Sequence, residues 1–72
     1  MYHRIRDLRE DKDLTQTQIA KHLGMSQTGY SKYETGENDI PTAILIKLAE
    51  FHNTSIDYLL GQTSIRKPYP KK

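Results

Sequence analysis

Residues 14–36 read LTQTQIAKHLGMSQTGYSKYETG, and two glycines in the middle of this stretch, Gly24 and Gly29, set the problem. A glycine costs a helix interior about 1 kcal/mol relative to alanine, so each predicts a local need. Thr15 followed by Gln18 has the spacing of a capping box, in which Thr15 accepts from an early backbone N–H while Gln18 reaches back; a helix therefore starts at Gln16. Its buried side is Ile19, Ala20 and Leu23. Gly24 falls where that helix must end in a left-handed residue. Met25 plugs the turn, and Ser26 caps a further helix from Gln27 to about Thr35. At about 100° per residue, Tyr30 and Tyr33 mark the inward face of this helix, while Gln27, Thr28, Ser31, Lys32 and Thr35 form a wholly polar outward face. Gly29 lies beside the tyrosines, which predicts close packing of the third helix on the second.

The same signals organise the rest of the chain. Residues 3–12 read as a polar helix with Ile5 and Leu8 on one face and Arg6 and Glu10 at the spacing of a surface ion pair. Gly36 closes the third helix, ENDI forms a loop, and Pro41 takes a first-turn position in a fourth helix, Thr42 to His52. Asn53 is a left-handed stop. Ser55 caps a fifth helix, Ile56 to Leu60, with Asp57 in its first turn and Gly61 at its end. Residues 62–72, QTSIRKPYPKK, carry two prolines and few apolar groups and read as a flexible basic tail, leaving 1–61 as the folded domain. The pattern contains no strand signal or internal repeat: the fold class is all-α with five helices. The expected core is Ile5, Leu8, Leu14, Ile19, Leu23, Met25, Leu45, Leu48, Ala49, Ile56 and Leu59, joined by Tyr30 and Tyr33 with their hydroxyls at water.

Composition narrows the function. A chain of 72 residues favours a binding surface over a deep catalytic cleft. Cysteine is absent, which removes disulfides and thiolate metal sites. His3, His22 and His52 lack metal-ligand spacing, Asp7, Asp11 and Asp13 form a solvated acidic edge, and no nucleophile, base and orienter can be assembled, so neither an enzyme nor a metal or cofactor is expected. The start MYHRIRDLRE lacks the apolar stretch of a secretory signal, and the run Ala43 to Ile46 is too short to span a bilayer; a cytoplasmic protein is expected, with no membrane partner and no small-molecule ligand.

The net charge of +2 is unevenly placed. Arg66, Lys67, Lys71 and Lys72 supply four of the eleven basic residues, so the remainder is slightly acidic. From Leu14 to Tyr33, however, there is no acid, while Lys21 and Lys32 are present and acids lie on both sides. A surface that faces phosphate needs such a window.

Small Ala20 at the crossing of two short helices, a glycine turn and a turn residue packing beneath both describe a helix-turn-helix, whose second helix projects its polar face. That face suits the major groove. The stretch LTQTQIAKHLGMSQTGYSKYETG is similar to the helix-turn-helix of the Cro/repressor (Xre-like) family, and IPTAILIKLAEFHNTSIDYLLG, residues 40–61, resembles the two helices that follow it there. The resemblance spans residues 3–61. It implies a five-helix lambda-repressor-like domain with helices two and three as the helix-turn-helix. It also implies a sequence-specific regulator of transcription, expected to be a repressor, that binds double-stranded DNA as a homodimer on an inverted repeat in bacteria or phages. By the same resemblance Gln27, Thr28 and Lys32 approach base edges, and Thr15 and Gln16 form a phosphate clamp. Ser26 and Ser31 are secondary contacts, and Arg9 pairs with Glu34 and reaches phosphate. Where many relatives carry lysine or arginine after the recognition helix, this chain has Glu37, Asn38 and Asp39, which leaves Asn38 or backbone N–H groups for phosphate there. The basic tail is a compensating contact.

Helix four carries more apolar surface than one stripe can bury, since Ala43, Ile44, Leu45 and Ile46 point in four directions. With Phe51 and Tyr58, Ile44 forms a candidate self-complementary patch that would set two recognition helices about 34–36 Å apart. Alternatively Ile40, Ile44 and Phe51 cover the base of the core. The rival function is a protein-interaction module of the same fold, antitoxin-like or an anti-repressor partner, acting through helices four and five.

Overall fold

A computed structural model describes residues 3–68. Five helices follow in order: α1 (His3–Asp11), α2 (Gln16–Leu23), α3 (Gln27–Thr35), α4 (Thr42–Phe51) and α5 (Ile56–Leu59). Strands are absent among the described residues. The all-α expectation holds, with α1, α4 and α5 each ending one residue earlier than their patterns predict.

The starts of α2, α3 and α5 are capped as the sequence requires. The Thr15 hydroxyl accepts from the Gln18 N–H at 3.1 Å while the Gln18 side chain accepts from the Thr15 N–H at 2.8 Å. Ser26 and Ser55 accept from Gly29 and Tyr58 N–H groups at 3.1 and 3.0 Å. Pro41 is the exception: it is the residue before α4 rather than in its first turn, extended at φ −59° and ψ 149°, and its carbonyl accepts from Ile44 and Leu45. Being outside the helix, it can halt the loop without costing an internal hydrogen bond.

Four helices stop by one device. Asp13, Gly24, Asn53 and Gly61 all have positive φ. In each case the left-handed residue returns its N–H to the carbonyl three back, and the next residue returns its own to the carbonyl five back: Asp13 to Glu10 and Leu14 to Arg9, Gly24 to Lys21 and Met25 to Ala20, Asn53 to Glu50 and Thr54 to Ala49, Gly61 to Tyr58 and Gln62 to Asp57. Carbonyls that a helix end would leave unpaired are thereby satisfied.

α2 packs on α3 and α4, α1 on α3 and α5, and α4 on α5. The core between them is Ile5, Leu8, Ile19, Ala20, Leu23, Tyr30, Ile40, Leu45, Leu48, Ala49 and Leu59. Met25 and Ile56, expected inside, are half-buried at its edge, and Leu14, also expected inside, is only half-buried. Ile40, at the end of the loop, is inside instead, because the loop must turn back over the core to deliver α4. Tyr30 also departs from expectation: its hydroxyl is not at water but buried, and makes no hydrogen bond of normal geometry.

Gly29 is explained by the turn rather than by the α2 helix itself. A Cβ there would stand 3.1 Å from the Met25 methyl and 3.2 Å from the Ser26 hydroxyl, so the missing side chain leaves room for the residue that plugs the turn and the one that caps α3.

Residues 62–68, the first part of the expected tail, cross back over the helices. Thr54 donates its hydroxyl proton to the Arg66 carbonyl, the Arg66 guanidinium is 3.3 Å from Asp11, and Arg4 donates to the carbonyls of Tyr58 and Thr63. Tyr69 to Lys72 lie outside the described residues.

Candidate nucleic-acid interface

α3 divides sharply between its two sides. Tyr30 and Glu34 are buried and Tyr33 is half-buried against the core, whereas Gln27, Thr28 and Lys32 are exposed together with the capping Ser26. Ser31 is half-buried. Thr15 is exposed and Gln16 half-buried at the start of α2, and Asn38 is exposed in the loop after α3, its N–H donating to the Lys32 carbonyl at 3.2 Å.

A chain of polar contacts runs from the inside of the protein to this ridge. Arg9 Nε and Nη2 donate to the two Glu34 carboxylate oxygens at 2.7 and 3.1 Å, and Nη1 donates to the Leu14 carbonyl at 2.7 Å. Gln16 Nε2 donates to Glu34 Oε1 at 3.0 Å, and Gln27 Nε2 donates to Gln16 Oε1. The direction of this chain is dictated by its buried end. An ionised carboxylate only accepts, so Gln16 must turn its NH2 toward Glu34 and its oxygen toward Gln27, which must answer with its own NH2.

Glu34 stays ionised despite its position. Burial pushes its carboxyl up, and against that the Arg9 guanidinium, the nearby Tyr30 hydroxyl and the Gln16 amide hold it below the ordinary carboxylate range. Arg9 is raised in turn, chiefly by its hydrogen bonds to Glu34. Tyr30 is pushed well above the ordinary tyrosine value by burial first and by Glu34 second, so its hydroxyl keeps its proton. The side chains of Arg9 and Glu34 are only 12% and 4% exposed, so the acid within α3 is neutralised by Arg9 and buried.

The family model described as helix-turn-helix matches residues 5–59. The chain belongs to the Cro/repressor-type (Xre-like) helix-turn-helix family. Among curated members of that family it is 37% identical over 68 residues to the HTH-type transcriptional regulator YobD of Bacillus subtilis, covering 94% of this chain and 59% of YobD. It is 34% identical over 64 residues to ImmR of the same organism, covering 89% and 50% of the two chains. With the cryptic phage CTXphi transcriptional repressor RstR of Vibrio cholerae it shares 39% over 59 residues, covering 82% and 53%. The chain thus spans about half the length of these helix-turn-helix relatives. No solved structure matches it significantly.

Within this helix-turn-helix domain the other sequence-singled residues have separate neighbours. Ile44, Phe51 and Tyr58 pack half-buried against the core. The Phe51 ring lies 4.4 Å from the His22 ring and 5.0 Å beneath the Lys12 ammonium, and Tyr58 lies 4.2 Å beneath the Arg4 guanidinium. Exposed large apolar side chains occur instead at Ile46 and Ile65. Sequence reasoning did not foresee the link between Gln16 and Gln27. Its signal was available: each glutamine directly follows a capping hydroxyl residue, Thr15 or Ser26, so both occupy the first turn of their helices, and α2 packs on α3.

Proposed function

We propose that the chain is a sequence-specific double-stranded-DNA-binding regulator of transcription that inserts α3 into the major groove. The observation that carries this reading is the exposed ridge of Gln27, Thr28 and Lys32 with the Gln27 amide already held by Gln16. Only one of the two Gln27 amide protons is used inside the protein. The second, with the side-chain oxygen, matches the N7 acceptor and N6 donor of adenine, and a side chain held in advance loses less entropy on binding. Lys32 supplies a donor for guanine acceptors or phosphate, and Thr28 an apolar methyl for thymine.

Thr15 accepts from Gln18 and keeps its own hydroxyl proton, and Gln16 keeps its second amide proton, for phosphate oxygens at the start of α2. Ser26, Ser31 and Asn38 remain secondary contacts. The Arg9 guanidinium is bidentate on Glu34, also holds the Leu14 carbonyl, and is on a side chain only 12% exposed, so we assign it to holding α3 in place rather than to phosphate. The regulator acts as a homodimer on an inverted repeat, by occupying the site. Repression is the mode named for one relative, the phage transcriptional repressor RstR.

Selection of bound duplexes from a random pool, followed by titration of variants, tests the reading. Gln27→Ala is expected to weaken the selected duplex by roughly ten- to a hundredfold and to leave scrambled duplex unchanged, as loss of a base contact of about 1–3 kcal/mol demands. Equal loss on both duplexes, or absence of salt-dependent binding by the native chain, would overturn it.

A further inference from the structure

Glu34, Gln16 and Gln27 form a row of side chains in which oxygen and nitrogen ends are not interchangeable. Glu34 is buried, and Arg9 holds both of its oxygens, Nε on Oε2 at 2.7 Å and Nη2 on Oε1 at 3.1 Å. The same Oε1 accepts from the Gln16 amide at 3.0 Å. Since the carboxylate has no proton to give, Gln16 turns its oxygen outward, and Gln27 donates one amide proton to it. Given the proposed insertion of α3 into the major groove, on which this rests, we infer that Glu34 and Gln16 are positioning residues for base choice: they fix which end of the Gln27 amide meets each atom of the base, and so make adenine rather than guanine its partner.

Order along the amide edge decides the matter. The Gln27 nitrogen is the end tied to Gln16, so its remaining N–H lies on that side and its oxygen on the far side. Adenine offers the acceptor N7 beside the donor N6, whereas guanine offers acceptors at both N7 and O6. With the N–H on N7, the Gln27 oxygen accepts from N6 of adenine but meets O6 of guanine, lone pair against lone pair. Turned end for end, the side chain would set its NH2 opposite position 6 and its oxygen opposite N7, which suits guanine at O6 and adenine nowhere. An exposed glutamine left alone turns either way at little cost. Here any reversal sets oxygen against oxygen, between Gln27 and Gln16 if one amide turns, or between Gln16 and Glu34 if both do. The buried ion pair thus reaches the base through two amides, without touching it.

Binding is measured on duplexes that differ only at the base Gln27 reads, located as the position where Gln27→Ala abolishes preference. The native chain is expected to favour adenine over guanine there by roughly tenfold or more. Glu34→Gln is expected to reverse the row. Its new amide keeps oxygen on Arg9 Nε, the shorter of the two bonds, and turns NH2 to Gln16, which answers with its own oxygen and donates to the Gln27 oxygen. Preference then moves to guanine. Adding Gln16→Glu to Glu34→Gln puts a carboxylate in the middle of the row, where it accepts from both sides. The double variant should recover the adenine preference even if its charge weakens binding to every duplex, a rescue that a merely structural role would not produce. Gln16→Leu removes the relay with Arg9 and Glu34 still paired and should shrink the preference several-fold; it decides alone where the other variants fail to fold by circular dichroism. A native preference for any base but adenine at that position overturns the inference. So does an adenine preference unchanged in folded Glu34→Gln or in Gln16→Leu, or a folded double variant that does not recover it. If Gln27→Ala alters preference at no position, the base contact itself fails; if it does and the other variants keep adenine, only the relay fails.

Discussion

His52 is 5% exposed, and neither of its ring nitrogens has a hydrogen-bond partner. Burial, with the cations Lys12 and Arg66 nearby, pushes its pKa down from 6.5 to about 4. The unfolded chain therefore takes up the proton first, and the stability that neutral His52 allows is complete above about pH 6.5 and drains away as the pH falls toward about 4. Acidification from about pH 7.5 to about pH 5 is expected to cost the native chain on the order of 2 kcal/mol through this group. His52→Leu removes the group that titrates; its denaturant midpoint should hold nearly constant over that interval, and an unaltered acid loss in this variant would rule the mechanism out. Glu34 acts in a neighbouring window with its own sign. Its folded pKa is lowered, so its contribution is present above the ordinary carboxylate value and vanishes as the pH drops through the depressed one. Arg9→Met would leave this carboxylate buried without its cation, and urea unfolding should register a loss of about 3–5 kcal/mol. The surface pair of Arg6 and Glu10, 3.3 Å apart with both side chains more than half exposed, makes a useful contrast: its removal should be nearly silent.

At the scale of the helix, starts were more legible than stops. Serine and threonine caps can be read from one residue type at one spacing, and α2, α3 and α5 begin where such residues predict. The shared stopping device was visible only where glycine or asparagine supplied it. Asp13 occupies the same left-handed position, yet aspartate there reads equally well as part of a solvated acidic edge, and nothing local separates the two. Gly24 and Gly29 offer a test of what each glycine is for. A Cβ at Gly24 would meet nothing within 4 Å, so Gly24→Ala should cost only the left-handed backbone penalty, about 1–2 kcal/mol in a thermal or urea melt. At Gly29 the obstacle is a flexible methionine end and the cap oxygen, so Gly29→Ala should be close to neutral. Gly29→Leu, which must displace Met25, should cost about 1–3 kcal/mol. Equal losses at Gly24→Ala and Gly29→Ala would mean that backbone and packing have been wrongly assigned.

For the molecule as a whole, the pattern of charge matters more than its sum. The acid-free window from Leu14 to Tyr33 covers α2 and most of α3, and the first acid beyond it, Glu34, is tied up by Arg9 inside the protein. If Lys32 contacts a phosphate, Lys32→Ala should reduce the slope of log affinity against log salt by about one, and an unchanged slope would move Lys32 to a base edge or to solvent. The ridge was legible from helical periodicity because it depends only on which way each residue of α3 points. The chain of contacts from Arg9 to Gln27 was not, since it joins three helices whose mutual placement no short pattern encodes. That inner anchorage also bears on how such a protein changes over generations. Tyr30, Tyr33 and Glu34 fasten α3 from behind, so on the proposed reading substitutions at 28 and 32 would rewrite the preferred sequence while the mounting stays intact. Position 27 is tied to its partner at 16, so a change there would also release the Gln16 side chain.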